Sequence, residues 1–126
     1  MREAPFILIG AGGMLGRAMH REMEHAALPF RAVGRDEFDL TDADSIATAL
    51  HPGVRFVINC AAWTDVDGAE SAEAAATLVN GRGVELLAQR CGRIGAMLVT
   101  YGTDYVFSGN ATEPYRIDTP RAPLNA

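Results

Sequence analysis

Phe6-Ile7-Leu8-Ile9-Gly10-Ala11-Gly12-Gly13-Met14-Leu15-Gly16 is the stretch from which the fold is read. Four consecutive apolar residues closed by glycines read as a strand buried on both faces, as strands of parallel sheets are. Behind the glycines, Met14, Leu15, Ala18, Met19, Met23 and Ala26 recur at helical spacing, with Arg17, His20, Arg21 and Glu24 between them. That spacing predicts an amphipathic helix from about Met14 to Ala27, ended by Pro29. The turn itself carries GxxGxxG at positions 10, 13 and 16. Gly10 permits the tight turn, Gly13 lets backbone N–H groups approach a pyrophosphate, and Gly16 lets the helix pack closely on the sheet. Glycines alone would make only a flexible turn; the strand before them and the helix behind favour a dinucleotide's phosphates at the helix N-terminus.

The pattern repeats outward from this unit. Phe30 to Val33 predicts a second strand, Phe56 to Cys60 a third and Met97 to Tyr101 a fourth. Between them, Thr41 with Asp44 resembles a capping box opening a helix to about Leu50, stopped by His51-Pro52-Gly53. Asp67 with Glu70 offers a second capping pair before an alanine-rich helical region reaching Arg93, in which Val84, Leu87, Ala88 and Cys91 form the inward stripe and Gly81 and Gly83 mark a break. Strands alternating with helices require crossover connections, so the fold class is α/β, a doubly wound parallel sheet of Rossmann type. From Ser108 onward glycine, asparagine and three prolines replace the periodicity, and 109–126 reads as loop at the end of a single domain covering 1–126.

Composition narrows the function. The 126 residues carry 11 basic and 16 acidic side chains, a net charge of -5 without a long run of either sign, which argues against nucleic acid and membrane surfaces as partners. The start lacks a signal peptide's features and no apolar run reaches the roughly 20 residues that span a bilayer, so the expectation is a cytoplasmic protein. Cys60 and Cys91 have no ligand at metal spacing and read as buried thiols. His20, His25 and His51 read as surface residues. All eleven basic residues are arginine, and this excludes any step that needs a lysine within the chain.

Cofactor choice in such a fold is set after the second strand, where Gly34-Arg35-Asp36 stands. Arg35 suits the 2'-phosphate of NADP through charge-assisted bonding, whereas Asp36 would suit the free ribose of NAD; NADP is the leading expectation and NAD remains open.

Three further segments, Asp39-Leu40-Thr41-Asp42, Asn59-Cys60-Ala61-Ala62-Trp63-Thr64-Asp65-Val66-Asp67-Gly68-Ala69-Glu70 and Gly102-Thr103-Asp104-Tyr105-Val106-Phe107-Ser108-Gly109, together with the glycine turn, resemble the extended short-chain dehydrogenase/reductases, and within them the dTDP-4-dehydrorhamnose reductase family. The resemblance runs from Phe6 to Pro123-Leu124-Asn125. It implies NADPH-dependent reduction of the C4 ketone of a dTDP-linked 4-dehydro-6-deoxyhexose to dTDP-L-rhamnose, with a nucleotide-sugar as the substrate. In that scheme Thr103 matches the hydroxyl that bonds the carbonyl, although a threonine there also suits a turn cap. Gly10, Gly12, Gly13, Met14, Leu15, Gly16, Arg35, Ala61, Ala62 and Thr64 match cofactor-lining positions, Asp39 and Leu40 match positions beside the adenine, and Asp104 and Tyr105 match positions near the sugar. Trp63 either flanks the cofactor or packs. Asp65, Asp67 and Glu70 read as capping residues and not as a metal cluster.

The chain also departs from the family. Its general acid is the tyrosine of YxxxK, tuned by the lysine; Tyr101, Tyr105 and Tyr115 are not followed by lysine at that spacing. Gly102 replaces a usual serine. The expectation is therefore an amino-terminal part of a longer reductase that binds cofactor and does not itself catalyse. It should leave apolar surface near Met97 to Tyr101 uncovered, open to a homo-oligomer or another partner. A non-catalytic binding subunit, like the regulatory subunit of methionine adenosyltransferase, and another sugar-nucleotide epimerase or dehydratase are the competing readings.

Overall fold

A computed structural model describes residues 4–126. Strands β1 (Phe6–Ile9), β2 (Phe30–Val33), β3 (Phe56–Asn59) and β4 (Met97–Thr100) form one sheet in the order β2-β1-β3-β4, every pair parallel. Helix α1 (Met14–His25) joins β1 to β2 and α2 (Ala43–Ala49) joins β2 to β3. Between β3 and β4 run α3 (Val66–Ser71), α4 (Glu73–Thr77), a π-helical turn (Leu78–Gly83) and α5 (Val84–Ile94). The predicted strands are all present, the third and fourth each a residue shorter at the carboxyl end.

Alternation along the strands separates two faces. Ile7, Ile9, Val33 and Val57 point into a core closed by Ile46, Ala49 and Leu50 around α2 and by Leu87 and Cys91 of α5, with Phe38, Leu40 and Val54 completing it. Leu98 packs against its edge. Arg90 of α5 donates to the carbonyls of Leu50 (2.8 Å) and Ala47 (3.3 Å), so a guanidinium satisfies the last turn of α2, where orphan carbonyls and the negative end of the helix dipole meet. In α5 the inward positions are Leu87, Cys91 and Ile94, with Leu86 beside them; Ala88, expected inside, faces solvent, because the buried stripe is centred on the Leu87–Cys91–Ile94 row and leans towards Leu86.

The second face carries Phe6, Leu8, Phe56, Met97 and Val99. Phe6 and Phe56 stack at 4.8 Å across the β1–β3 pair. Over β2 the edge of His20 meets Phe30, and Met23 is buried. Towards β4 the cover ends: Met97 is 60% exposed, Val99 38% and Tyr101 51%, as the sequence led us to expect.

Three helix boundaries move. α1 stops at His25 because Ala27 turns left-handed (φ 51°) two residues before Pro29. α2 is capped by Asp42, not Thr41: the Asp42 carboxylate accepts from the Asp44 and Ser45 N–H groups. Thr41 instead donates both its N–H (2.8 Å) and its hydroxyl (2.7 Å) to Asp39. α3 is capped by Asp65, which accepts from Gly68 N–H at 2.9 Å, in place of Asp67. The single alanine-rich helix is divided at Ala72 as well as at the π turn. After β4 comes a 3-10 turn (Asp104–Val106), and the remaining loop is pinned by the Phe107–Tyr115 stack and by Ala122 N–H donating to Val106 C=O. Cys91 is buried and Cys60 only partly so; burial raises both thiols above their ordinary value.

Leu87 is fully buried between α2, α5 and the sheet, so Leu87→Ala is expected to lower stability by about 2–5 kcal/mol in urea unfolding, and a loss well under that would mean the α5 face is not core. The Thr41 hydroxyl and N–H hold the Asp39 carboxyl below the usual carboxylate range. A depressed folded pKa stabilises above the unfolded value and is lost as pH falls through the folded one. Asp39→Ala should therefore lower Tm at neutral pH, the gap closing below about pH 4; a gap independent of pH would contradict the assignment.

Candidate functional site

The carboxyl ends of β1 and β3 lie side by side where the connections diverge, β1 passing to α1 and β2 on one side and β3 passing through α3 to α5 and β4 on the other. Ligands of open α/β sheets bind at such a switch point. Here the glycines answer to geometry. Gly10 has φ +77°, and a Cβ on it would stand 2.7 Å from the Ala61 amide nitrogen. A Cβ on Gly16 would overlap the Gly10 carbonyl oxygen, so the first turn of α1 is drawn onto the end of β1. Gly13 donates to Gly10 C=O at 3.1 Å and is the N-cap of α1, with no side-chain cap and no acidic residue in the first turn.

A Cβ on Gly12 would meet no atom within 4 Å, and Met14 (85% exposed) and Leu15 flank the same open side. Uncapped N–H groups at the positive end of a twelve-residue helix fit a diphosphate. Arg17, not anticipated from the sequence as a site residue, donates its Nη1 to Gly12 C=O at 2.7 Å and places a guanidinium beside the loop. Its position directly after the last glycine was the available signal.

Around the crevice, an open cavity of about 280 Å³ is lined by Arg35, Ala62, Trp63, Thr64 and Asp65. Two segments matched separately in the sequence, the end of β2 and the end of β3, thus share one cavity. Arg35 is exposed and makes no ion pair among the described residues, which leaves its five donors for a ligand. A dinucleotide with a 2'-phosphate fits this donor set.

The wall of that cavity is held from behind. Asn59, 2% exposed, donates to Thr100 Oγ1 at 3.3 Å and accepts from Ala61 N–H at 3.1 Å, tying the ends of β3 and β4 to the turn into the cavity wall. Trp63, half-buried, donates its indole N–H to Asp65 C=O at 2.8 Å, and its backbone pairs with Asn80. Neither Asn59 nor Asn80 was read from the sequence as a site-building residue, because each acts through a backbone group that no motif records.

Other matched residues lie differently. Leu40 is a core residue, and the Asp39 carboxylate is committed to Thr41. Beyond β4, Thr103 caps the 3-10 turn, its Oγ1 accepting from Tyr105 N–H at 3.2 Å, and Asp104 and Tyr105 are exposed on that turn. The cap uses a lone pair of Thr103 and leaves its hydroxyl proton to donate. Glu70 accepts from Ala126 N–H at 2.9 Å. Among the described residues no group of three or more His, Cys, Asp or Glu is placed to hold a metal ion, and no helix is long and apolar enough to cross a membrane.

Comparison with known proteins bears on the same residues. A family profile described as the RmlD substrate binding domain matches residues 5–126. A dTDP-4-dehydrorhamnose reductase of Streptomyces griseus is 44% identical over 94% of this chain and 39% of its own length. A probable dTDP-4,6-dihydroxy-2-methyloxan-3-one 4-ketoreductase of Streptomyces antibioticus is 42% identical over 96% of this chain and 42% of its own. The crystal structure of the Bacillus anthracis dTDP-4-dehydrorhamnose reductase, in complex with NADP, superposes with a TM-score of 0.90 at 30% identity, covering 98% of this chain and 44% of that one. The chain spans about two-fifths of the length of the curated relatives it matches. A match along nearly all of its residues places the chain in the RmlD family, that of the dTDP-4-dehydrorhamnose reductases.

Proposed function

We propose that this chain is the dinucleotide-binding part, residues 1–126, of a dTDP-4-dehydrorhamnose reductase, and that it binds NADPH. The observation that carries the reading is the cavity shared by Arg35 and the Ala62–Asp65 wall, with the uncapped start of α1 following the strand that lies between β2 and β3. On this reading the α1 N-terminus and the amide of Gly12 face the diphosphate, with Met14 and Leu15 alongside. Arg35 takes the 2'-phosphate, and Ala61, Ala62 and Thr64 form the wall beneath the dinucleotide. Asp39 and Leu40 act on the adenine side through the turn they build.

When bound, the nicotinamide supplies a hydride for the C4 carbonyl of a dTDP-linked 4-dehydro-6-deoxyhexose. Thr103 donates its free hydroxyl proton as a hydrogen bond to that carbonyl oxygen while the Tyr105 N–H fixes the oxygen of Thr103. Asp104 and Tyr105 face the sugar. No tyrosine of this chain is paired with a lysine; the proton that completes the alcohol comes from a tyrosine–lysine pair in the remainder of the parent enzyme. The uncovered side chains of Met97, Val99 and Tyr101 support a further layer packing there.

Titration with NADPH and NADH, followed by the fluorescence of Trp63, tests the cofactor assignment. NADPH is expected to bind more tightly, and Arg35→Ala to weaken it by about tenfold or more, the value of a charge-assisted contact, with NADH little changed. Equal loss for both would remove the 2'-phosphate role, and no response to either would remove the cofactor site. In the parent enzyme, Thr103→Val should lower kcat/KM on the order of 10²-fold with cofactor affinity unchanged; an unchanged kcat/KM would leave Thr103 a turn cap only.

A further inference from the structure

Gly12 and Gly13 are the one pair of adjacent glycines in the chain, and they stand in the turn that leads β1 into α1. The peptide between them has no Cβ on either side to oppose its reversal, so sterics alone leave its orientation open. Hydrogen bonds settle it. The Gly13 N–H donates to Gly10 C=O at 3.1 Å. At the other end of the same peptide, Gly12 C=O accepts from Arg17 Nη1 at 2.7 Å, the short distance of a charge-assisted bond. Arg17 reaches back because a helical side chain lies over the turn before its own. Its backbone N–H meanwhile donates to Gly13 C=O at 2.9 Å. One residue in the first turns of α1 thus holds two successive carbonyls, those of Gly12 and Gly13. Reversing the Gly12–Gly13 peptide would lose the bond to Arg17 and the bond to Gly10, and would set the carbonyl oxygens of Gly12 and Gly10 against each other.

We infer that Arg17 is a positioning residue for the cofactor: its guanidinium locks the Gly12–Gly13 peptide, and with it the N-cap of α1, in the orientation that receives a diphosphate. The inference rests on the reading of that turn as the phosphate site. It gives Arg17 a role beyond that of a nearby positive charge. Paired with the guanidinium, the Gly12 carbonyl oxygen is neutralised; unpaired, it is a partial negative charge beside the phosphates.

Arg17→Met keeps much of the side chain's apolar length and removes the donor. In the ligand-free protein, the Gly13 amide proton should lose protection from exchange with water by about fivefold or more, read from amide proton–nitrogen spectra. Adding Gly13→Ala separates a reversing peptide from general loosening. The native φ of -75° at this position suits alanine, and a Cβ there meets only the Gly10 carbonyl oxygen, at 3.4 Å. The reversed peptide needs a positive φ, which alanine resists, so the double variant should return to within about twofold of wild-type protection. NADP⁺ should bind Arg17→Met about fivefold or more weakly, and the factor should persist at about 1 M salt, which screens a charge at a distance but not a misplaced peptide. Circular dichroism confirms that each variant is folded.

Folded Arg17→Met with wild-type protection at Gly13 would overturn the lock, and so would a double variant that stays unprotected. An unchanged affinity, or a weakening that vanishes at about 1 M salt, would overturn the positioning role. If wild type binds neither NADP⁺ nor NAD⁺ while protection is lost in Arg17→Met and restored by Gly13→Ala, the lock stands and the phosphate-site reading falls.

Discussion

The close approach of two backbone turns, Gly10 against Ala61, is the contact on which the rest of the site depends. At φ +77° and with the Ala61 amide 2.7 Å from where a Cβ would stand, position 10 accepts only glycine without moving one of the two central strands. That contact sets the exit direction of β1, and Gly16 sets the seat of α1 on the exit. The consequence is that the turn into α1 and the loop that follows β3 meet backbone to backbone.

From there the construction spreads through hydrogen bonds that reach across the sheet. Asn59, buried at the end of β3, holds both Thr100 on β4 and the Ala61 amide, and so ties the Thr103 turn to the cavity wall by way of the strand ends. A buried carboxamide with both ends satisfied adds specificity to what apolar packing leaves degenerate. The large core lies on the α2 and α5 side. The other face, carrying Met97 and Val99, is where this chain holds its apolar side chains in the open.

Much of this was legible in the residues. Each strand is a short apolar run between breakers, and a buried parallel strand leaves just that trace, so Phe6–Ile9, Phe30–Val33 and Phe56–Asn59 stand where the runs are. The glycine spacing was informative because a strand precedes it and a helix follows. Cap positions were less so: Thr41, Asp42, Asp65 and Asp67 all satisfy a cap pattern, and the choice falls to backbone angles that the pattern does not contain. Met14 and Leu15 belong to the apolar stripe of α1 yet stand in the open, because the helix begins before the sheet can cover it. The π turn was announced only as a break at Gly81 and Gly83. Its residues meet Leu40 and Trp63, tertiary contacts that no local window includes.

The central claim is that bare amides at the start of α1 receive a diphosphate. Amide proton–nitrogen correlation spectra recorded as NADP⁺ is added test it most directly. The account predicts that the largest shifts fall on Gly12 to Gly16, with smaller ones at Arg35 and at Ala62 to Asp65. Shifts confined to other parts of the chain, with Gly12 to Gly16 unmoved at saturation, would contradict it.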